Sequence, residues 1–151
     1  MTRMNAPANI LIVDDEEVVR RSYASALAGA RCRAQAARDG EEALSAMERE
    51  AFDVVLLDLR MPGCGGMAVL EQMKRRWPER EVVIVTGYPT VDSAKEAVRL
   101  GAFDYLAKPL GPDELVEATQ AALLRKQWAL RGDDEKATQF LELPPQRRSL
   151  S

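Results

Sequence analysis

Five short apolar runs, each followed by a stretch of helical periodicity, constrain this chain more than any other feature. They are NILIVDD (9–15), RCRAQAA (31–37), FDVVLLDLRMPG (52–63), EVVIVTGYP (81–89) and AFDYLAKP (102–109). Continuous apolar runs of this length suit strands buried on both faces. The second run is Ala-rich and poor in β-branched residues, and its position between two helices makes it a strand. The segment 16–30 repeats Val18, Val19, Tyr23, Ala26 and Leu27 at helical spacing, with Gly29 as a stop. In 39–50, Asp39 is a cap, Glu42 its capping-box partner, and Ala43, Leu44 and Met47 form a stripe. The stretch 67–77 closes at Pro78, and 90–101 has Thr90 as cap and Gly101 as stop. A long last helix starts near Pro112 and carries Leu115, Val116, Thr119, Ala122 and Leu123.

Strand and helix in alternation predict an α/β fold, a doubly wound five-stranded parallel sheet with five helices on both faces and right-handed crossovers. Ligands in such folds bind outside the carboxyl ends of the strands. The first strand ends in Asp14 and Asp15, the third in Asp58, the fourth in Thr86 and the fifth in Lys108. Taken singly these residues have ordinary roles. Asp14 and Asp15 would cap the first helix, Thr86 would sit in a turn, and Lys108 would be a solvated charge. Their conjunction at four strand ends argues for a site instead.

Converging carboxylates repel unless a cation neutralises them. An all-oxygen ligand set suits Mg2+, whereas the acidic run lacks the alternation and central glycine of a calcium loop. An acid with a metal, an ammonium and a hydroxyl around it is an arrangement for phosphoryl transfer, with Asp58 as nucleophile, Lys108 neutralising the phosphoryl oxygens and Thr86 hydrogen-bonded to one of them. The chain contains no histidine, which excludes Ser-His-Asp and Cys-His catalysis and His-ligated zinc. Any phosphohistidine donor therefore belongs to another protein.

The remaining composition narrows the class. The 151 residues are sized for one core. A net charge of -3 gives no electrostatic reason to expect direct nucleic-acid binding or an acidic-membrane partner. Cys32 and Cys64 read as ordinary thiols, and the chain shows neither a signal-peptide core nor a membrane span, so a cytoplasmic location is expected. The glycines at 63–66 lack the Lys and Ser/Thr of a phosphate loop and read as a flexible turn.

In the order ILIVDDEE, VVLLDLRMPG, VVIVTGY and GAFDYLAKPL, the motifs resemble a receiver domain of bacterial two-component response regulators, over roughly 10–125. The wording is most similar to the nitrogen-regulation class of enhancer-binding activators. The resemblance implies a flavodoxin-like strand order 2-1-3-4-5 and a signalling phosphoacceptor that catalyses only its own phosphorylation and dephosphorylation. It implies that Asp58 accepts phosphate from a sensor histidine kinase or histidine phosphotransfer protein. Asp14, Asp15, Asp58 and the backbone carbonyl of Arg60 would serve Mg2+, Asp14 largely through water. Lys108 and Thr86 would contact the phosphoryl group, Tyr105 would follow as an aromatic switch, and the Lys108-Pro109 peptide would be cis. Arg60 and Tyr88, each two residues beyond a site residue, would slow hydrolysis of the acyl phosphate by their bulk.

The domains expected are a disordered 1–8, a receiver over 9–125, and a helix extension with a mobile tail over 126–151. Trp128 and Leu130 lie on the extension, and Phe140, Leu141 and Leu143 are placed to dock on a partner. A stand-alone phosphoacceptor acting on a downstream effector is one reading, with a homodimer through the last helix or the face of fourth helix, fifth strand and last helix. The receiver fragment of a longer transcription activator is another. A haloacid-dehalogenase-type phosphatase is remote, because Arg60 stands where that chemistry needs a second aspartate.

Overall fold

The structure is a computed structural model that describes residues 7–61 and 65–130. Strands and helices alternate as β1 (Ala8–Val13), α1 (Glu17–Gly29), β2 (Cys32–Ala37), α2 (Gly40–Arg49), β3 (Val54–Leu57), α3 (Gly66–Arg76), β4 (Glu81–Thr86), α4 (Val91–Arg99), β5 (Asp104–Ala107) and α5 (Pro112–Leu130). All pairings are parallel, and the sheet order is β2-β1-β3-β4-β5.

Successive residues of a strand face opposite sides, so an unbroken apolar run feeds two cores. Leu11, Val13, Val55, Leu57, Val82 and Ile84 pack with Ala43, Met47, Leu70, Met73 and Ala97 of α2, α3 and α4. Ile10, Ile12, Val54, Leu56, Val83 and Val85 pack with Tyr23, Leu27, Leu115 and Ala122 of α1 and α5. Each buried aliphatic side chain contributes about 1.5–3 kcal/mol, so this double burial rather than local propensity holds the central strands. β2 is an edge strand with only Ala37 buried, which explains its weak apolar signal.

Helix ends follow the expected residues in three places and depart in three. The Asp39 side chain accepts from the Glu42 amide, Thr90 accepts from the Ser93 amide, and Gly101 takes a left-handed φ of 102°. The Glu42 carboxylate reaches the amide of Arg38 rather than that of the cap residue, one position earlier than a standard capping box. Gly29 does not supply the left-handed stop of α1. It is the last helical residue, and Arg31 adopts φ 63° while its amide bonds back to Ala28. Asp14 and Asp15 do not cap α1 either: Glu16 is the N-cap residue, without a side-chain cap bond.

At the sheet end opposite the acids, two ion pairs fasten α5. Arg125 meets the buried Glu81 at 2.6 and 2.7 Å, and Lys126 meets Asp53 at 3.0 Å. Lys126 is therefore packed into the body, one residue past the expected boundary, and Ala8 already pairs with Cys32 at the other terminus. Cys32 is a free thiol. Cys64, the side chains of Trp128 and Leu130, and the tail with Phe140, Leu141 and Leu143 lie outside the described residues.

Gly66 has a role that a turn reading does not capture. A Cβ there would lie 2.5 Å from Leu59 Cα and 2.6 Å from the Asp58 carbonyl oxygen, backbone atoms that cannot rotate away. Gly66→Ala should cost about 1–3 kcal/mol in urea denaturation, as overpacking does. Gly65→Ala, with nothing within 4 Å of the new Cβ, should change stability by less than about 0.5 kcal/mol.

Candidate functional site at the carboxyl edge of the sheet

Three residues just beyond strand ends keep the ladder going by one more bond. Asp14 N–H donates to Ala37 O at 3.1 Å, Asp58 N–H to Val13 O at 3.0 Å, and Lys108 N–H to Thr86 O at 2.8 Å. Their side chains are therefore aimed by the sheet rather than by flexible loops. Asp14 and Asp58 are buried although charged, and Asp15 is exposed. Asp14, Asp15 and Asp58 each offer a carboxylate oxygen within 4.8 Å of the others.

Lys108 enters this cluster from β5. Its Nζ lies 2.7 Å from Asp14 Oδ2, 3.4 Å from Asp58 Oδ2 and 4.0 Å from Glu16 Oε1. The stronger contact is thus to Asp14, not to Asp58. Every polar group of Asp14 is engaged: besides its N–H and Oδ2, Oδ1 accepts from the Glu16 amide at 2.9 Å and its carbonyl from Arg20 Nη1 at 2.9 Å. Asp58 Oδ1 accepts from the Arg60 amide at 3.1 Å. The Lys108-Pro109 peptide is cis.

Burial raises the Asp58 carboxyl above the ordinary range, opposed by the Arg60 amide and by Lys108. For Lys108, burial works downward, but the hydrogen bond and charge of Asp14, then Asp58, hold the ammonium above the usual lysine value. Three carboxylates against one ammonium leave the pocket negative. Oxygen donors alone, in a chain without histidine, fit a hard divalent cation.

The wall between site and surface is the loop from Thr86 to Thr90. Thr86 is buried, and its hydroxyl accepts from the Tyr88 amide at 3.2 Å. The Tyr88 ring lies under the Arg60 guanidinium, 4.1 Å from its centroid, so the two residues beyond Asp58 and Thr86 form one cation–π pair. Tyr105 is half-buried against the core of α2, α3 and α4, and its hydroxyl accepts from the Thr90 amide at 3.2 Å and contacts Ser93 Oγ. The structure thus brings Asp14, Asp15, Asp58 and Lys108 together, with Arg60, Thr86 and Tyr88 beside them and Tyr105 one loop away. Arg20 and Ser93 are engaged here without having been expected. Nothing in their spacing marks them, since one acts on a backbone carbonyl and the other on a side chain twelve residues away.

Comparison with known proteins places this arrangement in context. The profile described as the response regulator receiver domain matches residues 10–120. The DNA-binding transcriptional regulator NtrC of Salmonella typhimurium is 40% identical over 114 residues, 76% of this chain and 24% of that protein. The chain spans about a quarter of the length of such curated relatives. Among solved structures, NtrX from Brucella abortus superposes with a TM-score of 0.80 at 32% identity, covering 85% of this chain and 29% of that one. A CheY-like receiver domain protein from Methanospirillum hungatei gives a TM-score of 0.78 at 28% identity, covering 80% and 97%.

The raised Asp58 pKa fixes the sign of a stability effect. Ionisation is disfavoured in the folded chain, so a penalty develops as pH rises through the ordinary carboxylate range and is complete above the folded pKa. Without divalent ions, Asp58→Asn should be the more stable protein in urea near neutral pH. Its advantage should shrink under acid, where the wild-type carboxyl protonates, and an Asn variant weaker at neutral pH would contradict this electrostatic account.

Proposed function

The chain belongs to the response regulator receiver domain family, and on that premise we propose that it accepts a phosphoryl group on Asp58 from a phosphohistidine of another protein. The observation that carries this reading is the buried Asp58 carboxylate at the end of β3, with Lys108 Nζ 3.4 Å away and Asp14 and Asp15 in the same cluster. A carboxylate oxygen of Asp58 attacks phosphorus, the P–N bond of the donor breaks, and the imidazole leaves. Lys108 turns from Asp14 toward the phosphoryl oxygens, and Thr86 gives its hydroxyl hydrogen to one of them. Asp14, Asp15, Asp58 and the carbonyl of Arg60 would hold Mg2+, whose chemistry is to neutralise charge on the transferring group. Hydrolysis is the reverse problem, and the Arg60–Tyr88 stack narrows the way for an attacking water.

The partners on this reading are a sensor histidine kinase or phosphotransfer protein upstream and an effector downstream. Val91 and Val98 of α4 are 70% and 66% exposed beside β5, which supports output through the face of α4, β5 and α5, to an effector or a second copy. No described helix is long and apolar enough to cross a membrane. The folded unit includes Ala8 at one end and Lys126 at the other. The length of the curated relatives favours a second reading of the output, the receiver of a longer transcription activator.

Incubation with Mg2+ and acetyl phosphate should add one phosphoryl group to the wild type, read by intact mass, and none to Asp58→Asn. Stoichiometric labelling of the Asn variant would sink the assignment. Tyr88→Ala should shorten the half-life of the phosphorylated protein several-fold by opening the water path, and an unchanged half-life would remove Tyr88 from the mechanism.

A further inference from the structure

The Tyr105 hydroxyl ends in a small hydrogen-bond network at the start of α4. Ser93 Oγ donates to the Thr90 carbonyl at 3.2 Å, and Thr90 Oγ1 donates to Ser93 Oγ at 2.8 Å. Ser93 Oγ also contacts the Tyr105 hydroxyl, and either oxygen can be the donor. The same phenol accepts the Thr90 amide at 3.2 Å. The tip of Tyr105 is therefore tied to the first turn of α4 by two bonds.

That turn is joined to the site by only three residues, Gly87, Tyr88 and Pro89, between Thr86 and Thr90. The Thr86 hydroxyl accepts from the Tyr88 amide, and Arg60 covers the Tyr88 ring. A phosphoryl group that takes the Thr86 hydroxyl hydrogen and draws the side chain toward itself pulls on the bond from Tyr88 N–H, and the strain falls on a short loop whose far end is fastened to Tyr105. From this geometry we propose that Ser93 is a positioning residue, a latch that holds Tyr105 and the start of α4 in the unphosphorylated arrangement and opposes the phosphorylated one. The inference rests on the receiver reading above and adds to it a residue and a sign.

Ser93 also lets the latch be separated from helix capping. The cap of α4 is the bond from the Ser93 amide to Thr90 Oγ1, at 3.0 Å, and it needs no Ser93 side chain. Ser93→Ala removes the hydroxyl partner of Tyr105 and keeps the cap; Ser93→Thr keeps the hydroxyl.

The test is a titration of the full chain with beryllofluoride in Mg2+, followed by NMR of the Tyr105 ring and the Thr90 amide, in wild type, S93A, S93T, Y105F and S93A/Y105F. S93A should tighten the apparent affinity about two- to tenfold, the equilibrium weight of one net hydrogen bond. S93T should return toward wild type, and S93A should have no further effect on the Y105F background. Unchanged or weakened affinity in S93A, or an undiminished effect without the phenol, overturns the latch while leaving the phosphoacceptor intact. A folded wild type that takes up no beryllofluoride overturns the receiver reading and the latch together, which is a different result.

Discussion

Lys108 is shared between two buried carboxylates, and the rest of the site depends on that sharing. Two unit charges about 4 Å apart interact by about 4 kcal/mol at an effective dielectric near 20, so repulsion between acids is of the same size as attraction to one lysine. One ammonium is shared between Asp14 and Asp58, and burial, with a smaller push from Asp14, keeps the Asp58 carboxyl above its ordinary range despite the Arg60 amide and Lys108. The pocket is stable enough to form yet remains short of positive charge, which suits a site that takes a divalent cation. Only a rigid support can keep acids so close. The ladder bonds at Asp14, Asp58 and Lys108, with apolar cores on both sides of β1, β3 and β4, supply it.

Signal transmission is a matter of how many contacts change together. Moving a two-state equilibrium from 1:99 to 99:1 takes about 5.5 kcal/mol, whereas one charge-assisted hydrogen bond nets about 1.5–3 kcal/mol. Thr86 alone is insufficient. The loop it begins is held at Tyr88 by Arg60 and at Thr90 by Tyr105, so a change at Asp58 engages three linked contacts. At the other end of the sheet, Arg125 and Lys126 hold α5 to Glu81 and Asp53. Asp58 and the end of α5 are thus anchored at opposite edges of one sheet.

The order of elements was legible because both central faces are buried, so β1, β3 and β4 had to be unbroken apolar runs. β2 was nearly invisible because an edge strand facing solvent needs no such run. Asp58, Lys108 and Thr86 could be singled out because strand ends in a parallel sheet converge on one edge, a rule of topology. Other features were not legible for equally physical reasons. The preference of Lys108 for Asp14 is a balance of distances, Arg20 acts on a carbonyl that sequence cannot reveal, and the Arg60–Tyr88 stack joins residues 28 apart, which periodicity cannot relate. Gly29 was a reasonable helix stop, but α1 runs through it and Arg31 takes the left-handed turn.

A crystal structure of the protein with Mg2+ and beryllofluoride would show where Lys108 goes. The account predicts beryllofluoride on the Asp58 carboxylate, Lys108 Nζ moved from Asp14 to a fluoride, and the Thr86 hydroxyl turned away from Tyr88 N–H. Beryllofluoride held elsewhere, with Lys108 still paired to Asp14 beside an unmodified Asp58, would contradict it.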